Sequence, residues 1–222
     1  MTFTVLARAG RTAELGVASA TRTLSVGAAV PAGAPGVGVI ASQAWTNRSL
    51  RGLGLALLAA GTEPDEVLER LHHADPDFRL RQVGLVDALG RVAAHTGADC
   101  TDHAGHRTGD GWVVLGNLLT GPGVLDAMAE RVAAGLAAHQ DLAGLLVDVL
   151  RVGERAGGDR RGRQSAALLV VDAHRPDHPV TPPETLVDLR VDDHADPVTE
   201  LARLVVLHRA DHGPDHHPLS GG

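Results

Sequence analysis

The sequence predicts an α+β fold in which sheets stack on one another and carry helices on their outer faces. Blocks of strand-like residues alternate with pairs of helical patterns instead of following a strict strand–helix–strand winding. QSAALLVV (164–171) is apolar almost throughout, the mark of a strand covered on both sides. At 222 residues and 44% hydrophobic content, the chain is long and apolar enough to bury a sizeable core.

The elements follow in order. In the opening MTFTVLARAG, Phe3, Val5 and Ala7 alternate with Thr2, Thr4 and Leu6, which predicts a half-buried strand over 2–8. A turn at Ala9-Gly10-Arg11 leads into a second strand at 15–20, forming a hairpin. Strand-like runs at 24–30 and 37–42 are separated by Pro31, Gly33, Pro35 and Gly36, which punctuate the chain. Leu50, Leu53, Leu57 and Leu58 recur at helical spacing up to Gly61. TEPDEV then starts a second helix with Pro64 and two acids in its first turn, ending near His73. RQVGLVD (81–87), RVAAHTG (91–97) and WVVLGNLL (112–119) are strands. Helices are predicted over 123–138 and 141–156, ending at Gly157-Gly158. After the strand at 164–171 come a Pro- and His-rich loop (174–183), a strand LVDLRV (186–191), and a helix from Pro197 to about His208. The domain is thus expected to span 1–208, with 209–222 a disordered tail rich in Gly, Pro and His.

Composition excludes several functions. A net charge of -7 argues against a nucleic-acid partner, which needs a basic face. All 20 basic residues are arginine, so no lysine can act as base, Schiff-base former or phosphate clamp. No basic region followed by an apolar run marks a signal peptide, and no stretch is apolar enough to span a bilayer. A cytoplasmic protein without membrane association is therefore expected. One cysteine allows no internal disulfide, in keeping with that compartment. No run matches a nucleotide-binding glycine motif, and no cofactor is expected.

Four groups of residues carry possible chemistry. Thr2, once Met1 is removed, would place its hydroxyl beside a free α-amine, one way to activate a weak nucleophile; as it stands it is equally an ordinary β-branched strand residue. Asn117 ends an apolar strand, where its amide either completes a turn or donates to a developing oxyanion. Asp159, Arg160, Arg161, Arg163 and Gln164 precede the buried strand, as a solvated loop or as an arginine fork for an anion. Asp99, Cys100, Asp102, His103 and His106 are of zinc-ligand type, but their spacing matches no standard site and no metal is expected. The flanking acids Asp99 and Asp102 also count against Cys100 as a nucleophile.

Together, MTFTVLAR, GVGVIASQAWTN, RQVGLVDALGRVAAHTGADC, GHRTGDGWVVLGNLL, GGDRRGRQSAALLVVDAH and LVDLRVDDHADPVTEL resemble the bacterial domain-of-unknown-function 1028 family, placed among N-terminal-nucleophile hydrolase-like folds. The resemblance runs over residues 2–208 and implies a four-layer αββα sandwich. It implies a hydrolase cleaving an amide bond of a small molecule, with Thr2 as nucleophile and its own α-amine as base. On that reading Asn117 and Asp159 join Thr2 in catalysis, while Gln43, Arg161 and Gln164 bind substrate. The chain departs from the family pattern at Ala32, where tryptophan is expected, and at 8–12, usually acidic. A homo-oligomer is compatible with this reading. The competing expectation is a catalytically silent αββα protein that binds a metabolite or scaffolds an assembly.

Overall fold

The computed structural model describes residues 2–174 and 184–211. Strands β1 (Thr2–Ala9) and β2 (Glu14–Thr21) form the expected antiparallel hairpin, with Phe3 opposite Ala20 and Ala9 opposite Glu14. The run at 24–30 is not a strand. Ser25 takes a left-handed φ of 56°, which breaks extension, and a single helical turn, α1 (Val26–Ala29), follows. Strand β3 (Pro31–Ala34) instead forms where proline and glycine suggested a break. It lies at a sheet edge with Pro31 as its first residue, the place where a missing N–H is tolerated.

The chain continues through β4 (Gly38–Ala44), α2 (Ser49–Ala59), α3 (Pro64–Ala74), β5 (Arg81–Asp87) and β6 (Val92–Thr96). Strand β7 (Gly105–Gly109) has no apolar alternation and is extended because it pairs with β8 (Trp112–Asn117). Helices α4 (Gly123–Ala137) and α5 (Leu142–Arg155) precede β9 (Ser165–Asp172), β10 (Thr185–Val191) and α6 (Pro197–Asp211). Asp141 caps α5 by accepting from the Gly144 amide at 2.7 Å. Helix α6 takes in Arg209–Asp211, the first residues of the segment expected as a tail; 175–183 and 212–222 lie outside the described residues.

Two antiparallel sheets result, one of order β10-β9-β2-β1-β8-β7 and one of order β3-β4-β5-β6. Three buried clusters fill the spaces around them. Phe3, Val5, Leu168 and Val170 meet Met128, Leu146, Leu150 and Leu201 from α4, α5 and α6. Leu6, Val17, Leu115 and Val171 meet Val39, Ala41 and Val86 from the other sheet. Ile40, Val83 and Leu85 meet Leu50, Leu58, Val67 and Leu71 from α2 and α3. Both faces of β9 are covered, as its composition implied. Strand β1 is also buried on both faces, not half-buried: Thr2 and Thr4 look toward the second sheet, with 6% and 0% of their surface exposed. Among the described residues no helix is long and apolar enough to cross a membrane.

Candidate active site at the end of the first strand

Thr2 opens β1 in the middle of the six-stranded sheet. Antiparallel pairing sets it directly opposite Asn117, the last residue of β8, so both side chains rise from the same face. On the other side, the Thr2 hydroxyl donates to the Thr21 hydroxyl at 3.3 Å. These three residues form one wall of a cavity of about 310 Å3. Leu24, Val26 and Val30 supply an apolar wall, Trp45 and Thr46 come from the loop after β4, and Arg161 closes a third side. Leu24 and Trp45 are large apolar side chains left more than half exposed at its mouth.

Arg161 reaches the cavity from a turn, not from an extended segment, so strand parity does not govern which arginine faces inward. The Gly162 amide closes this turn onto the Asp159 carbonyl at 2.9 Å, and Gly162 holds a φ of 106° that side-chain-bearing residues rarely adopt. Asp159 anchors the turn. Its buried carboxylate accepts from the amides of Arg22 and Arg161, each at 2.8 Å, and ion-pairs with the Arg161 guanidinium at 3.2 Å. Asp159 therefore works on Arg161 and the chain, and the guanidinium is presented already braced.

Backbone strain gathers around the same cavity. Ala44 and Leu118, which line it, have φ of 70° and 52°, and Ser25 at 56° sits between two lining residues. Left-handed conformations cost non-glycine residues roughly 1–2 kcal/mol each and persist where surrounding structure enforces them. A larger cleft of about 410 Å3 lies at the far end of β1, beside Arg8, Asp110, Trp112 and His139. It has no comparable convergence of strand end, amide and guanidinium.

Gln43 and Gln164 are not among the residues that line this cavity. Gln43 is completely buried beneath the cavity, where it accepts from the Thr4 hydroxyl at 2.7 Å and donates to the Thr2 carbonyl at 3.3 Å. Gln164 lies outside the cavity lining, accepting from Arg22 at 2.5 Å and donating to Asp193 at 3.2 Å. No sequence pattern singled out Gln82, a fully buried residue of β5 whose amide meets both Gln43 and Asn117. Cys100 and His106 do not share a centre. The Cys100 thiol points at the carbonyls of Leu80 and Arg81, and burial, with Asp99 adding to it, pushes the thiol up from its ordinary range. His106 bonds the Thr96 hydroxyl at 2.9 Å, and burial pushes its imidazole down. Among the described residues no three His, Cys, Asp or Glu side chains converge to hold a metal ion.

The model of the family of unknown function DUF1028 matches residues 2–201. The chain belongs to that family. The crystal structure of DUF1028 protein SPO2555 from Silicibacter pomeroyi is similar to it, at 32% identity and a TM-score of 0.81 over 94% of this chain and 89% of that one. The Anbu (ancestral beta-subunit) structure from Yersinia bercovieri covers 94% of this chain and 95% of its own at 10% identity, with a TM-score of 0.40. Anbu from Hyphomicrobium sp. strain MC1 covers 94% and 96% at 12% identity, with a TM-score of 0.42. Likenesses as distant as these two decide nothing about the site. No curated protein matches the chain.

Proposed function

We propose that this DUF1028 protein is an N-terminal-nucleophile hydrolase with a four-layer αββα fold, cleaving a C–N amide bond of a small molecule after removal of Met1. The observation that carries this reading is the pairing of Thr2 with Asn117 in the wall of a cavity that Arg161 also lines. With Met1 gone, the neutral α-amine of Thr2 takes the proton of its own hydroxyl as Oγ1 attacks the substrate carbonyl. Asn117 donates an N–H to the oxyanion of the tetrahedral intermediate. The C–N bond breaks, the leaving amine takes the proton back from the α-ammonium, and an ester to Thr2 remains. Water, deprotonated by the same amine, then cleaves the ester and restores the hydroxyl. A free α-amine titrates near pH 7.7–8.0, so it suits this work at neutral pH.

The lining describes the substrate. A cavity of about 310 Å3 is at the small end for ligand sites, which suits a metabolite better than a peptide. Leu24 and Trp45 offer an apolar surface, and Arg161 offers a planar donor fork for a carboxylate or similar anion. The substrate is thus a small amide with an apolar part and an anionic group. Purified protein assayed against a panel of acyl amides and ureides, with Thr2→Ala as control, tests the reading. Turnover that survives Thr2→Ala contradicts it.

A further inference from the structure

We infer that Gln82, in the second sheet, is a positioning residue that sets which end of the Asn117 amide is offered to the reaction. The inference rests on the proposed role of Thr2 and Asn117. Gln82 has no exposed surface and reaches across the gap between the sheets. Its Nε2 lies 2.9 Å from the Gly105 carbonyl, 2.9 Å from the Gly116 carbonyl and 3.0 Å from Thr96 Oγ1. Backbone carbonyls only accept, so the end of Gln82 that faces them must be the NH2 group. Its Oε1 is then forced toward Gln43 Nε2 at 2.8 Å and Asn117 Nδ2 at 3.0 Å.

The direction of every bond follows from those two carbonyls. Gln43 must give an N–H to Gln82, so its Oε1 must accept from Thr4, whose hydroxyl in turn accepts from Ser19 at 2.8 Å. Asn117 must likewise give one N–H of Nδ2 to Gln82. A rotation of the Asn117 amide by half a turn would bring two carbonyl oxygens together between two buried side chains, where such a repulsion is costly. The nitrogen is therefore held in place and keeps a second N–H beside Thr2. Gln43 donates to the Thr2 carbonyl from the same network, so Gln82 also fixes the nucleophile's residue through one intermediary. Among the described residues no buried side-chain polar atom lacks a partner.

The test uses the mature full chain and an N-acyl-serine β-lactone as an electrophilic probe. Thr2 Oγ1 attacks the lactone carbonyl, the ring C–O bond breaks, and the released alkoxide takes the proton from the α-ammonium. Intact mass follows the adduct over time and separates the limiting acylation rate from the half-saturating probe concentration. Gln82→Met and Gln82→Leu, neither of which offers Asn117 an acceptor, should lower the limiting rate by about 10- to 100-fold at an unchanged half-saturating concentration. Gln82→Met should add almost nothing in an Asn117→Ala background, because the two act as a unit. Should Gln82→Met fail to fold, as circular dichroism would show, Gln82→Leu alone answers. Wild-type rates in a folded Gln82→Met or Gln82→Leu, or losses that add to those of Asn117→Ala, overturn the inference while leaving Thr2 in its role. A mature wild type that takes no adduct contradicts the role of Thr2, and this inference falls with it.

Discussion

Thr2, Asn117 and Arg161 occupy the same small space for different reasons: a strand end, a cross-strand register and a glycine-closed turn. Each makes its own prediction. The amine of Thr2 must be neutral to take a proton, so turnover should be low in acid and rise with pH as the amine loses its proton. Arg161→Lys replaces a planar fork with a point charge and should raise KM for a carboxylate substrate by about 10- to 100-fold, the loss of one charge-assisted bond. Arg160→Lys should change KM by less than about 2-fold, because Arg160 is exposed and absent from the lining. Steady-state kinetics on both variants decides this; equal small effects would remove the anion role. Cys100→Ser should leave activity within a few-fold, since burial holds that thiol protonated and it faces carbonyls away from the cavity.

At the scale of elements, a buried clamp holds the loop that carries Trp45. Arg81 donates to the Asp75 carboxylate at 2.8 Å and to the Trp45 carbonyl at 2.7 Å, while Asn47 donates to Asp75 at 2.8 Å. The Arg81 hydrogen bond, helped by Asn47 and the Asp77 amide against the cost of burial, holds the Asp75 carboxyl down to about 2. A depressed carboxyl stabilises the fold above its unfolded value near 3.9 and loses that contribution as pH falls toward 2. Thermal melts should therefore show wild type more stable than Asp75→Asn by roughly 2 kcal/mol at pH 6, with the gap closing between pH 4 and pH 2. A gap independent of pH would remove the ionised clamp. Most elements were legible from periodicity and punctuation, because long apolar patterns decide them locally. The misses have physical causes. Ser25 turns left-handed where its residues favour extension, and β7 owes its form to β8 and not to its own GHRTG.

Across the whole molecule, function depends on how closely the two sheets approach. A Cβ at Gly84 would lie 3.0 Å from the Leu115 side chain and 3.1 Å from that of Val113 across the gap, so even a methyl group there obliges these side chains to shift by a few tenths of an ångström. Gly84→Ala should then cost about 1–3 kcal/mol in urea unfolding by overpacking; an unchanged midpoint would show that the sheets yield. The same gap explains what the sequence concealed of the site. Thr2 and Asn117 stood out because each ends a recognisable strand, whereas Arg161 was separated from its neighbouring arginines only by the family resemblance. Gln82 reads as an ordinary strand polar and Gln43 entered only as a substrate contact implied by the family resemblance; the meeting of two sheets is what makes them partners of Thr2 and Asn117.

If Thr2, freed of Met1, is the nucleophile, peptide mapping after β-lactone labelling will locate the acyl group on it. The labelled protein should have lost Met1 and carry a single acyl group on Thr2, with no adduct on Thr2→Ala. Mature protein that stays unlabelled at Thr2, or that is acylated at another residue to the same extent in Thr2→Ala, would contradict it.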